Sequence, residues 1–225
     1  AALSMIVTLE ADLVEIVLLS LQVSLSAVAI ASVIALPLGA LIALQSFPGR
    51  RGVVILPNAL MGLPPVVVGL LVYLLLSRAG PLGPMGLLFT PTAMIIAQSI
   101  IVLPIIAALS RQTIADLHEE YDEHLRSLGC SPLQSVATLL WDGRFRLLTA
   151  IMAGFGRAIA EVGAVIIVGG NIQHATRVMT TTIALETSKG NLALALGLGL
   201  ILVTLALGVN ATALVISDAA RRRYG

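Results

Sequence analysis

Residues 116–146 read DLHEEYDEHLRSLGCSPLQSVATLLWDGRFR, and the rest of the chain is organised around this stretch. Apolar runs long enough to span a bilayer flank it on both sides, and it contains none itself. Leu117, Tyr121, Leu125 and Leu128 recur at helical spacing, with Glu119, Glu120, Asp122, Glu123 and Arg126 on the other positions, so the segment is a charged rod with one apolar stripe. Asp116 and Glu119 have the spacing to cap its start. Gly129 stands where a left-handed C-cap is wanted, and Ser131, Pro132 and Gln134 supply the N-cap, first-turn proline and capping-box partner of a second helix. Leu133, Val136, Ala137, Leu140 and Trp141 give that second helix its apolar face. The pattern predicts two short helices back to back across a sharp turn, offered to a partner outside the membrane. The alternative is a helix lying on lipid headgroups, which usually carries a basic polar face rather than this acidic one.

Composition sets the class. Of 225 residues, 58% are hydrophobic and 11% charged, with a mean hydropathy of +1.02, far from soluble averages. An all-α integral membrane protein of one domain is expected. Cys130 is the only cysteine, which excludes an intrachain disulfide and a cysteine-based metal cluster. No basic patch interleaved with aromatics points to nucleic acid. The first residues show no basic region followed by a cleavage site, so no signal peptide is expected.

Five spans are predicted, at about 16–44, 53–76, 91–109, 147–168 and 192–216, with the loop 111–146 between the third and fourth. Glu10, Asp12 and Glu15 lead into the first, which exceeds a ~30 Å hydrocarbon core and is expected to tilt, kink at Pro37 or project from it. In the second, Pro57, Gly62, Pro64, Pro65 and Gly69 interrupt the helix. Backbone left unpaired at that depth belongs beside protein or water, so Pro64, Pro65 and Val66 are candidates for a translocation path, the alternative being a kink that only shapes packing. The turn 77–89 is rich in Gly and Pro, and Thr90-Pro91 starts the third span.

Arg157 and Glu161 lie inside the fourth span, four residues apart and so on one helical face. Either charge at mid-bilayer costs roughly 2.5–3.5 kcal/mol, so each must face the other, another helix or water. A register-fixing ion pair, an anion path using Arg157, and proton coupling through Glu161 all remain open. Gly154, Gly156, Ala160, Gly163 and Ala164 would let a neighbouring backbone approach. From 172 to 190 an external loop is expected, where Thr180, Thr181 and Thr182 with Arg177 and Lys189 either meet an anion or are simply solvated; His174 alone makes no metal site.

Orientation follows from arginine. Arg50, Arg51, Arg111, Arg126, Arg144, Arg146 and Arg221 to Arg223 fall on one side of five spans, with Arg78, Arg177 and Lys189 on the other, so the first side is cytoplasmic, the N-terminus outside and the C-terminus inside. The chain has no phosphate-binding glycine loop ending in Gly-Lys-Ser/Thr, and its one lysine is Lys189. ATP hydrolysis in this chain is therefore not expected. Five helices make a thin wall for a pore, which favours two copies about a two-fold axis.

Glu123 to Pro132 resembles the cytoplasmic coupling loop of ABC importer permeases at the Glu, the Gly and the Ser-Pro restart, and departs from it at His124, Leu125, Trp141 and Asp142. Pro64-Pro65-Val66-Val67 with Gly69-Leu70, Gly156 to Ala164 and Gly170-Asn171-Ile172 are similar to sulfate, molybdate and tungstate permeases, and His174 to Glu186 looks most like the tungstate group. The resemblance implies a type I ABC importer transmembrane domain in a prokaryotic inner membrane. It implies coupling to two separate ATP-binding subunits, which hold ATP and Mg, through Glu123, Arg126, Ser127, Leu128, Gly129, Ser131 and Pro132. An extracytoplasmic oxyanion-binding protein would deliver cargo to a path including Arg157, Glu161 and Thr180 to Thr182. The rivals are a proton-coupled transporter using Glu161, a scaffold that transports nothing, and an importer of the same class for molybdate, sulfate or vanadate. Cys130 tests the topology directly: a membrane-impermeant maleimide is expected to label it in inside-out but not in right-side-out vesicles, and the reverse pattern would defeat the predicted orientation.

Overall fold

The fold was taken from a computed structural model, which describes residues 11–127 and 129–224, the side chains of Ala11, Arg126, Pro132, Leu133 and residues 220–224 lying outside that description. The predicted roles of Glu10, Leu128, the Arg126, Pro132 and Leu133 side chains and the terminal arginines therefore fall outside the described residues. Among the described residues the chain is helical: α1 (Ala11–Leu44), α2 (Arg50–Leu60), α3 (Pro65–Leu76), a 3₁₀ turn (Gly83–Met85), α4 (Pro91–Ser127), α5 (Pro132–Asp142), α6 (Arg144–Ile159), α7 (Gly163–Gly169), α8 (Met179–Ser188) and α9 (Leu192–Tyr224). Of these, α1, α4 and α9 are long and apolar enough to cross a membrane singly. Two further crossings are available if the pairs α2–α3, bent by 99°, and α6–α7, bent by 60°, each count as one span.

The first and fourth helices form the spine because small residues let them touch. Ala27, Ala31 and Ala35 recur every fourth position along α1 and are fully buried, as are Ala93, Ala97 and Ala107 on α4. At Gly39 a Cβ would stand 2.7 Å from the Ala107 carbonyl oxygen, so the backbones meet there. Hydroxyls reinforce the contact: Ser99 donates to the Ala27 carbonyl at 3.3 Å and Ser110 to the Leu36 carbonyl at 3.1 Å. Leu18, Leu25 and Val33, on the opposite side of α1, are exposed and suit lipid. Arg50 closes the C-terminal end of α1, its guanidinium donating to the carbonyls of Ile42 (3.2 Å) and Ala43 (2.8 Å).

Around this spine the two bent pairs interlock. A Cβ on Gly69 of α3 would lie 2.7 Å from Ala164 Cα of α7, and one on Gly163 would lie 2.8 Å from a methyl of Val66. Val68, Val72 and Leu76 of α3 then pack with Met94 and Ala97 of α4 and with Val165 and Val168 of α7 in one apolar cluster. The last helix is mostly outside this core, with Leu196, Leu200, Val203 and Leu207 exposed.

Four expectations change. The helix expected to start at Asp116 is the continuation of α4, which runs unbroken from Pro91 to Ser127, so Asp116 caps nothing. No Gly or Pro interrupts Ser110 to Ala115, and helix propagation past the membrane edge needs no new nucleus. The fourth span breaks at Ala160–Val162 instead of running straight. The region 172–190 contains α8, in which Thr180, Thr181 and Thr182 are buried. On α5, the inward face is Ser135, Val136 and Leu139, with Ala137 and Trp141 exposed. Gly69→Leu is expected to force α3 from α7 and cost about 1–3 kcal/mol, read as a lower midpoint of thermal unfolding in detergent.

Candidate functional site

The break in the fourth span is held by ionisable groups placed according to the helix dipoles. Arg157 lies in the last turn of α6, where a cation is favoured, and the Glu161 carboxylate reaches the N-terminal end of α7, where an anion is favoured. Arg157 Nη1 donates to Glu161 Oε2 at 2.6 Å, while Glu161 Oε1 accepts from the Ala164 N–H at 3.1 Å. The Glu161 carbonyl takes the Thr180 hydroxyl at 2.9 Å, which ties α8 to the same point. The predicted pair thus exists, but not as neighbours on one continuous helical face. The side chain folds back across the break. Glu161 is 3% exposed and Arg157 33%, so one end of the pair is sealed and the other reaches open space with further guanidinium donors.

Of the predicted path residues, Val66, Arg157, Glu161 and Thr180 come together at this junction, Val66 resting on Gly163. Pro64 is exposed and Pro65 half-buried at the start of α3. Thr181 and Thr182 are spent on their own turn: Thr181 donates within reach of Asn171 Oδ1 (2.9 Å) and the Val178 carbonyl (3.0 Å), and Thr182 donates to the Val178 carbonyl (2.7 Å).

Two polar residues at the junction were not singled out from sequence. Gln98, buried in α4, donates to the Ala158 carbonyl at 3.0 Å, an acceptor it shares with the Glu161 N–H (3.1 Å), and so ties α4 to the break. Ser20 of α1 accepts the Met179 N–H at 2.8 Å and caps α8. With Ser24 and Thr180 these residues line a crevice that holds about one water. A lone Gln and a run of serines within apolar spans were the available signals.

At the other end, α4 carries its apolar stripe 18 residues beyond Leu109 to Ser127. Leu117 and Leu125 pack with Val136, Leu139 and Leu147 and with Ala40 and Ala43 of α1, so the projecting rod, α5 and the root of α6 form one cluster. Gly129 has φ +65°, and the Cys130 N–H returns to the Leu125 carbonyl at 3.1 Å, closing α4 as predicted. Across the turn Ser131 N–H donates to Gln134 Oε1 at 2.8 Å and Ser131 Oγ accepts the Gln134 N–H at 3.4 Å, a complete capping box. Glu123, Ser127, Gly129 and Ser131 are exposed at this apex. Beside it Arg144 stacks on Trp141, which is 69% exposed, at 4.7 Å.

The end remote from Gly129 carries two charge clusters. Glu15 Oε2 lies 2.9 Å from His174 Nδ1, and its hydrogen bond raises the imidazole pKa above the usual 6.5, so the tie is complete below that pH and is lost as pH rises through the raised value. Lys189, then Asn191, hold the Glu186 carboxyl below its usual range.

The fold is a helical membrane domain of interlocked broken helices from which a capped hairpin projects. The family model described as the binding-protein-dependent transport system inner membrane component matches residues 35–223, and the chain belongs to that family. It is 39% identical over 218 residues to a probable anion ABC transporter permease protein of Haloferax volcanii, covering 95% of this chain and 94% of that one. It is 40% identical over 191 residues to the tungstate uptake system permease protein of Peptoclostridium acidaminophilum, covering 85% and 84%. A sulfate transport system permease of Synechocystis is more distant, at 31% over 133 residues and 56% of this chain.

Glu161→Ala removes a charge partner and a helix cap together. It is expected to cost about 3 kcal/mol, the low end for breaking a buried pair because Arg157 reaches open space, and to cost less when Arg157 is already Ala. Thermal unfolding of the single and double variants measures both.

Proposed function

We propose that this chain is the permease subunit of an ATP-driven importer that carries a tetrahedral oxyanion, tungstate first, into the cytoplasm by alternating access. Two copies would line the pathway, two separate ATP-binding subunits would hold ATP and magnesium, and an extracytoplasmic binding protein would supply the anion. The observation that carries this is the unbroken run of α4 from the bilayer to a capped apex at Gly129, packed as one cluster with α5, α6 and α1. A push at Glu123, Ser127 or Ser131 is then delivered to the spine rather than absorbed in a hinge. The apex lies on the arginine-rich side, which supports a cytoplasmic motor. The names of the relatives support the cargo class, and the half-exposed guanidinium of Arg157 supports passage of an anion beside the broken helices.

The proton-coupled alternative draws less support, because both Glu161 oxygens are engaged by Arg157 and by the Ala164 N–H. A tetrahedral dianion needs donors along its way without a deep well, which suits a partly paired arginine better than a bare one. Proteoliposomes containing the assembled complex are expected to take up tungstate only with internal ATP and the binding protein, with molybdate and sulfate competing more weakly. Uptake by this chain alone, driven by a pH gradient, would refute the proposal. Gly129→Val forces a β-branched residue to φ +65° and is expected to abolish co-purification with the ATP-binding subunit, as measured by pull-down from detergent.

A further inference from the structure

At the end of the bundle remote from Gly129, the sequence brings two carboxylates and an imidazole together from positions 159 residues apart. Asp12 and Glu15 are three residues apart on α1 and so share a face. His174 comes from the segment between α7 and α8, where Asn171 (φ 50°) and His174 (φ 59°) both hold left-handed backbone that non-glycine residues seldom adopt. The N–H groups of Ala175, Thr176 and Arg177 all return to the Ile172 carbonyl, at 3.0–3.2 Å, and that turn aims the His174 ring at α1. The ligand atoms of Asp12, Glu15 and His174 lie within 4.8 Å of one another, and all three side chains are exposed.

We propose that Asp12, Glu15 and His174 form a site for a divalent transition ion of the zinc class, which clamps the 170–178 segment to α1. One imidazole nitrogen and two carboxylate oxygens are a borderline donor set that suits zinc, cobalt or nickel better than magnesium or calcium. Bonds of about 2.0–2.1 Å in a tetrahedron place ligand atoms roughly 3.3 Å apart. The Glu15–His174 edge of 2.9 Å is close to that already, and rotation of the exposed Asp12 side chain closes the others. Three protein ligands leave a fourth position to water, facing a small cleft of about 30 Å³ that Gln173 and Arg177 also border. Arg177 is the opposing charge. Two carboxylates against one guanidinium leave the cleft net negative when the imidazole is neutral, so a cation is still attracted.

The consequence is mechanical. The clamped segment joins α7, whose N-terminus Glu161 caps, to α8, whose Thr180 binds the Glu161 carbonyl. A bound ion would therefore hold the segment that must move if α7 moves against α8.

The test uses the full chain in lipid nanodiscs, titrated with Co²⁺ alone and then with competing Zn²⁺. One ion per chain with a visible d–d absorption band is expected, and His174→Ala and Glu15→Gln should each weaken binding at least about tenfold. Unchanged thermal unfolding without metal will establish that these variants are folded. Zn²⁺ should slow amide hydrogen exchange in residues 170–178 of the wild type and leave the His174→Ala chain unaffected. Absence of Co²⁺ binding, or binding that His174→Ala does not weaken, means an adventitious ion only and overturns the site. Binding without slowed exchange overturns the clamp.

Discussion

Hydrocarbon offers no hydrogen bonds, so a helix that breaks at membrane depth must find partners for its freed backbone groups inside the protein. This chain breaks two helices and answers the demand with specific side chains. Glu161 accepts the Ala164 N–H, Gln98 adds a second donor to the Ala158 carbonyl, and Ser20 accepts the Met179 N–H. Gln98 stands on α4 and Ser20 on α1, while Glu161 lies in the break between α6 and α7. The junction therefore holds α1, α4, α6, α7 and α8 in register through polar contacts that have no solvent to compete with them.

The Arg157–Glu161 pair adds direction to that scaffold. Its charges complement the dipoles of the two half-helices that face each other across the break, and its unequal exposure separates two roles. The sealed carboxylate holds Arg157 and the Ala164 N–H. The guanidinium is paired at one nitrogen and half-exposed.

One continuous helix, α4, joins this junction to the projecting apex. The helix passes from the exposed apex near Gly129, through the cluster of Leu117, Leu125, Leu139 and Leu147, to the small-residue contact with α1 and on to Gln98. No glycine or proline lies between Pro104 and Ser127, so the projecting part has no hinge of its own. The capping box at Ser131 and the left-handed turn at Gly129 fix the angle at which α5 returns.

Much of this was legible before any coordinates. Hydropathy marks the spans, Gly129 and Ser131-Pro132 mark the hairpin, and the prolines of 57–65 mark a broken span, because each depends on local chemistry or on solvent alone. Tertiary structure decided the rest. Nothing local to Ala160–Val162 demands a break; it exists because Gly163 and Gly69 let α7 turn onto α3, and packing there outweighs a continuous helix. Thr180 to Thr182 look like solvated loop residues by composition and are buried where α8 docks against α1 and α9. Residues 12, 15 and 174 become neighbours only when the chain folds, since spacing along a sequence carries no information about contacts made across a bundle.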